Sequence, residues 1–86
     1  MILAKIHVTL KKSVLDPQGV AISEALHSMG YPHVESARLG KYLELRLDDR
    51  GRSKNELQAQ VKDMCERLLA NTVIEHYEFE LQAIPS

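Results

Sequence analysis

From Ile2 to Leu10 the apolar residues Ile2, Ala4, Ile6, Val8 and Leu10 share one parity, while Lys5, His7 and Thr9 occupy the other. Period-two alternation predicts a strand with one buried face. The period then changes: Ile22, Ala25, Leu26 and Met29 recur at intervals of three and four, the spacing of one helix stripe. Asp16 supplies an acceptor for the free N–H groups at the start of that helix, and Pro17 suits its first position. Gly30 suits the left-handed residue that ends it, with Tyr31-Pro32 beyond. A second alternating set comes next, Ala37, Leu39, Leu43, Leu45 and Leu47 against Arg38, Tyr42, Glu44 and Arg46. Its parity survives Gly40-Lys41, which favours one strand bent or bulged at Gly40; a turn splitting the strand there is the alternative.

Asp48-Asp49-Arg50-Gly51-Arg52 reads as a charged loop, and Ser53 with Glu56 three residues on forms a capping box. Leu57, Val61, Met64, Cys65 and Leu68 make the buried stripe of the second helix, which Asn71 is placed to stop. Val73, Tyr77, Phe79, Leu81 and Ala83 then alternate with Ile74, His76, Glu78, Glu80 and Gln82 in a closing strand that Pro85 ends.

The order β-α-β-α-β, with one-faced strands and one-striped helices, predicts an α+β two-layer sandwich. Its sheet is mainly antiparallel with both helices on one face, because strands covered on both faces read as unbroken apolar runs. The open face, with Lys5, His7, Thr9, Tyr42, Ile74 and His76, is left to solvent or to another subunit. A chain of 86 residues makes a single domain over 1–86. A domain of this size hides only about 60% of its unfolded surface. One cysteine excludes an internal disulfide and a four-cysteine zinc site, so oligomerisation is the expected support and a reducing cytoplasm the expected location. Eleven basic against twelve acidic residues give no reason to expect nucleic acid or an anionic membrane as partner. Lys5 and His7 interrupt the apolar start, so neither a signal peptide nor a membrane span is expected there.

Candidate chemistry is sparse. Cys65 sits within the apolar stripe and reads as a core residue. His7, His27, His33 and His76 lie on four different elements without paired spacing. Asp48 and Asp49 lie in a turn beside Arg50 and Arg52, where nothing raises a carboxyl pKa for acid work. The serines have no Gly-x-Ser-x-Gly setting. No catalytic, cofactor-binding or metal site is therefore expected in this chain. The one compact cluster is Arg38-Leu39-Gly40-Lys41-Tyr42, two cations with a glycine and an aromatic in mid-strand. It lacks the second glycine and Lys-Ser/Thr of a phosphate loop and reads as a protein contact or a solvated bulge. The Asp16-Pro17-Gln18-Gly19 turn offers exposed amides that suit an acidic partner group. Arg38, Gly40, Lys41 and Tyr42, with Asp16, Gln18 and Gly19, are the candidate contact residues.

Four segments in order resemble the PurS family over nearly the whole chain. Val8-Thr9-Leu10-Lys11 leading into Ser13-Val14-Leu15-Asp16-Pro17-Gln18-Gly19 is similar to the family's strand-to-helix passage, and Ala25-Leu26 with Met29-Gly30-Tyr31 to its helix ending. Arg38-Leu39-Gly40-Lys41-Tyr42-Leu43-Glu44-Leu45 resembles its Arg-x-Gly-Lys signature. The run from Met64 to Tyr77 resembles its closing segment, with Thr72 where proline is usual. The resemblance implies a non-catalytic assembly subunit of formylglycinamidine ribonucleotide (FGAM) synthase, a ligase complex of purine biosynthesis. In that complex a PurL synthetase and a PurQ glutaminase use ATP, Mg and glutamine to convert formylglycinamide ribonucleotide. It implies those two subunits as partners, together with self-association into a dimer or tetramer. A homo-oligomeric small-ligand sensor of the ACT type is the alternative that the composition leaves open.

Overall fold

β1 (Ile2–Leu10) is the central strand of a three-stranded antiparallel sheet, with β2 (Gly40–Leu47) on one flank and β3 (Glu75–Ala83) on the other. The computed structural model describes residues 1–85. The register sets Ala4 between Leu45 and Leu81, Ile6 between Leu43 and Phe79, and Val8 between Lys41 and Tyr77. Ala4, Ile6 and Val8 are screened from water, while their neighbours on the two edge strands are half-buried or, for Lys41, exposed. The opposite face carries Lys5, His7 and Thr9 among Tyr42, Glu44, Arg46, His76, Glu78 and Glu80, the polar side that alternation requires.

α2 (Lys54–Met64) starts where expected: the Ser53 hydroxyl accepts the Glu56 N–H at 3.1 Å. Its Leu57 and Val61 are buried, and Val61 and Cys65 pack on Ala4, Ile6 and Val8. The expected stripe fails at its last member. Residues Cys65–Leu69 form a π turn, closed by the Ala70 N–H donating to the Cys65 carbonyl at 2.9 Å. The extra residue in that turn shifts the stripe by one position, so Leu68 is 82% exposed and Leu69 reaches the core in its place.

The closing strand also starts later than expected. Val73 and Ile74 lie in a turn in which the Asn71 carbonyl accepts the N–H groups of Ile74 and Glu75, and the Asn71 side chain accepts that of Val73. Val73 is thus exposed instead of opening the strand, and Ile74 stays in the turn, off the open face of the sheet.

α1 (Pro17–Ser28) has the expected ends. Asp16 caps it, and Gly30 takes φ 98° while the Tyr31 N–H donates to the Leu26 carbonyl and the Gly30 N–H to that of His27. The buried residues differ from the expected stripe: Gly19 and Ser23 are covered, Leu26 is half-buried, and Ile22, Ala25 and Met29 are exposed. α1 packs against the irregular chain at 34–39, through Asp16 with Leu39, Gly19 with Ala37 and His27 with Val34. It supplies no residue to the core cluster, so only α2 fills the helical layer expected over the sheet.

Gly40 neither bends nor splits β2 but begins it, leaving Ala37 and Leu39 outside the strand. The cause is tertiary: the Leu39 N–H is already donated to Asp16. A side chain at Gly40 would meet the Val8 carbonyl at 2.8 Å, so glycine permits the close start of the ladder.

Candidate functional site

The fold separates the seven candidate residues into three roles. Asp16 is 6% exposed, and its carboxylate accepts the Gly19 N–H on Oδ1 and the Leu39 N–H on Oδ2, both at 2.9 Å. The Leu39 bond first, then that of Gly19, with the charge of Arg38 adding to them, holds its carboxyl below the ordinary value. Arg38 donates to the carbonyls of Leu10 and Lys11 at 3.1 and 3.0 Å, tying this segment to the end of β1. Asp16, Gly19 and Arg38 are therefore positioning residues that hold α1, the 37–39 segment and β1 together.

That role has a pH signature. Because the folded carboxyl titrates below the unfolded one, Asp16 stabilises fully above about pH 4 and loses its contribution as pH falls through the folded value. Asp16→Asn, which removes the titrating group, should melt at lower temperature than the parent near neutral pH. It should also lose part of the decline in melting temperature as pH falls below about 4. Parallel curves for the two proteins would exclude this role.

Gln18, Gly40 and Lys41 line the second group. With Leu39 and Glu75 they border a cleft of about 210 Å³ floored by Val8 and Leu10. Lys41 lies on the helix-side face, with its Nζ 3.7 Å from Glu75 Oε2, while Glu75 Oε1 accepts the Asn71 N–H at 2.7 Å. Glu75 was not among the expected residues; its pairing depends on β1 aligning β2 with β3, and no local spacing signals it. The cleft presents a cation, a carboxylate and an amide around an apolar floor, an arrangement suited to a protein segment with both apolar and polar groups.

Tyr42 stands apart on the opposite face. Its ring lies 4.7 Å from His7 and its hydroxyl donates to Glu44 at 2.9 Å. Burial among its neighbours, followed by the Glu44 carboxylate, raises the hydroxyl above its ordinary value. The sequence cluster 38–42 is thus divided between two faces of the sheet, as alternation dictates for Lys41 and Tyr42.

The remaining reactive groups are occupied structurally. Asp48 pairs with Arg50 at 2.8 Å and Asp49 with the Met1 amino group at 2.7 Å, which hold both carboxyls below their ordinary values. Burial raises the Cys65 thiol, keeping it protonated at neutral pH. Among the described residues, no group of three His, Cys, Asp or Glu side chains is placed to hold a metal, and no helix is long and apolar enough to cross a membrane.

Residues 3–83 match the family model PurS, phosphoribosylformylglycinamidine (FGAM) synthase. A curated relative, the phosphoribosylformylglycinamidine synthase subunit PurS of Bacillus subtilis, is 52% identical over 80 residues, covering 93% of this chain and 92% of its own. The corresponding Synechocystis subunit is 48% identical and covers 93% of this chain and 78% of its own. The B. subtilis PurS crystal structure superposes with a TM-score of 0.86 at 52% identity, covering 96% of this chain and all of that one. A chain of the Thermotoga maritima PurLQS structure superposes with a TM-score of 0.81 at 30% identity, covering 95% and 99%.

Proposed function

Because the chain belongs to the PurS family of FGAM synthase subunits, we propose that it is the assembly subunit of that ligase complex, joining a PurL-type synthetase to a PurQ-type glutaminase. The observation that carries this is likeness over almost the full length, in sequence to PurS subunits and in fold to a chain solved within PurLQS. The same matches favour this reading over the small-ligand sensor, since each of these relatives and solved structures is a PurS or PurLQS protein. In this reading the reaction is conversion of formylglycinamide ribonucleotide to formylglycinamidine ribonucleotide. ATP, Mg and glutamine are used by the larger subunits, and the complex works in the cytoplasm. The chain contributes surface and geometry: the carboxylates of Asp16, Asp48 and Asp49 are committed to a helix cap and ion pairs, and its thiol is buried.

The cleft beside Gly40 is assigned to contact with the larger subunits, because Gln18 and Lys41 are the candidate residues with exposed side chains on its rim. Co-elution of this chain with PurL and PurQ in gel filtration tests both statements. The parent should elute with the two large subunits, and its failure to do so would overturn the assembly role. A Gln18→Ala, Lys41→Ala double variant should co-elute less while keeping its melting temperature. Undiminished co-elution of the double variant would overturn the cleft assignment alone.

A further inference from the structure

A second cleft, of about 430 Å³, is lined by the turn after β1, the start of α1 and the 36–38 segment, and shares only Asp16 with the Gly40 cleft. Its polar groups are the Lys12 ammonium, the Arg38 guanidinium and the hydroxyls of Ser13 and Ser36, all on exposed residues. Leu15 and Val20, 75 and 46% exposed, supply apolar wall. Neither cation has a carboxylate within ion-pair distance among the described residues. The one carboxylate in the lining, Asp16, is 6% exposed and has both oxygens taken by N–H groups, so a ligand meets the two cations in preference to this anion.

The cations are also set in place by the fold. Arg38 uses only Nη2 to hold the carbonyls of Leu10 and Lys11, which leaves Nε and Nη1 without a partner among the described residues. A guanidinium already fixed in this way loses little rotamer freedom on binding an anion. The turn that carries Lys12 and Ser13 is closed by the Val14 N–H donating to the Lys11 carbonyl at 2.9 Å.

We propose that this cleft binds a small phosphomonoester with an apolar or planar body. A phosphomonoester brings a charge of about −2 and three acceptor oxygens, which two cations and two hydroxyls match more fully than they match a carboxylate. The volume falls within the roughly 300–1,000 Å³ of small-ligand sites, more than a bare phosphate fills. Leu15 and Val20 offer the remainder of such a ligand an apolar surface. The site adds to the assembly role and is read on the chain without PurL or PurQ, so its failure would leave that role untouched.

NMR titration of the isotope-labelled parent with adenosine monophosphate, at fixed protein and salt concentration, tests the proposal. The amides of Ser13, Ser36 and Arg38 should shift saturably. Adenosine and inorganic phosphate, each lacking one half of the ligand, should bind at least roughly tenfold more weakly. Lys12→Glu, in an exposed turn, should keep the parental circular dichroism and weaken nucleotide binding roughly tenfold or more. No saturable shift at these amides, equal affinity for adenosine, or parental affinity in a folded Lys12→Glu would overturn the proposal. A glutamate-rich peptide that shifts the same amides at lower concentration than the nucleotide would give the cleft to a protein segment and overturn it as well. If Lys12→Glu does not fold, the comparison of the three small probes on the parent decides.

Discussion

Ile6→Ala should lower the free energy of unfolding by about 2–5 kcal/mol. Ile6 is one of the largest fully buried side chains, at the centre of the row Leu43–Ile6–Phe79 and in the cluster with Val61 and Cys65. Alanine removes three carbons and leaves a cavity that the paired backbone on both flanks of β1 cannot collapse to fill. A chain of 86 residues has roughly 4–13 kcal/mol to lose, so the variant should be substantially unfolded at moderate urea concentrations. Thr9→Ala, on the exposed face of the same strand, should stay within about 0.5 kcal/mol of the parent. Equal midpoints for Ile6→Ala and the parent would mean that the core does not lie where the β1 register puts it.

Gly19→Ala is expected to destabilise, against the usual sign for a helical glycine. Alanine in a helix interior is ordinarily favoured by about 1 kcal/mol. Here the added Cβ would stand 2.3 Å from the Ala37 carbonyl oxygen and 2.8 Å from Asp16 Oδ2. A backbone oxygen cannot swing aside, so α1 must retreat from the 37–39 segment and stretch the Asp16–Leu39 hydrogen bond. Overpacking costs about 1–3 kcal/mol and loss of the hydrogen bond about 1 kcal/mol more, so the propensity gain is outweighed. The melting temperature should fall by roughly 5–15 °C, and co-elution with PurL and PurQ should weaken because Gln18 moves with the helix. A rise in melting temperature on Gly19→Ala would show that α1 does not approach Ala37 this closely.

The parts of the fold that were legible in the residues are those with local causes. The strand at Ile2–Leu10, the Asp16-Pro17 helix start, the Gly30 ending and the Ser53 cap each derive from alternation or from the backbone groups at a helix end. Leu68 was misread because periodicity assumes 3.6 residues per turn, and the π turn at Cys65–Leu69 inserts one more. Val73 was misread because parity alone does not reveal the Asn71 turn that delays β3. The α1 stripe was recognised as apolar, but periodicity cannot say what covers it. The small residues Gly19 and Ser23 were needed against the chain, leaving the large ones outward.

The candidate site was legible by composition and not by arrangement. Arg38 and Asp16 attract notice as charged residues within three positions of a glycine, yet both are committed to backbone groups more than twenty residues away in the chain. Lys41 and Tyr42 are adjacent in sequence and on opposite faces in space, while Glu75 joins Lys41 only through the sheet register. Membership of the family was carried by the order of four short segments, which is a property of the whole chain and does not depend on any one side chain's position.

The assembly role is tested most directly by measuring formylglycinamidine ribonucleotide formation from glutamine by purified PurL and PurQ, with and without this chain. Glutamine-dependent product should appear only when the chain is added, while ammonia-dependent synthesis by PurL alone should be unaffected. Equal glutamine-dependent rates in its absence would contradict the role.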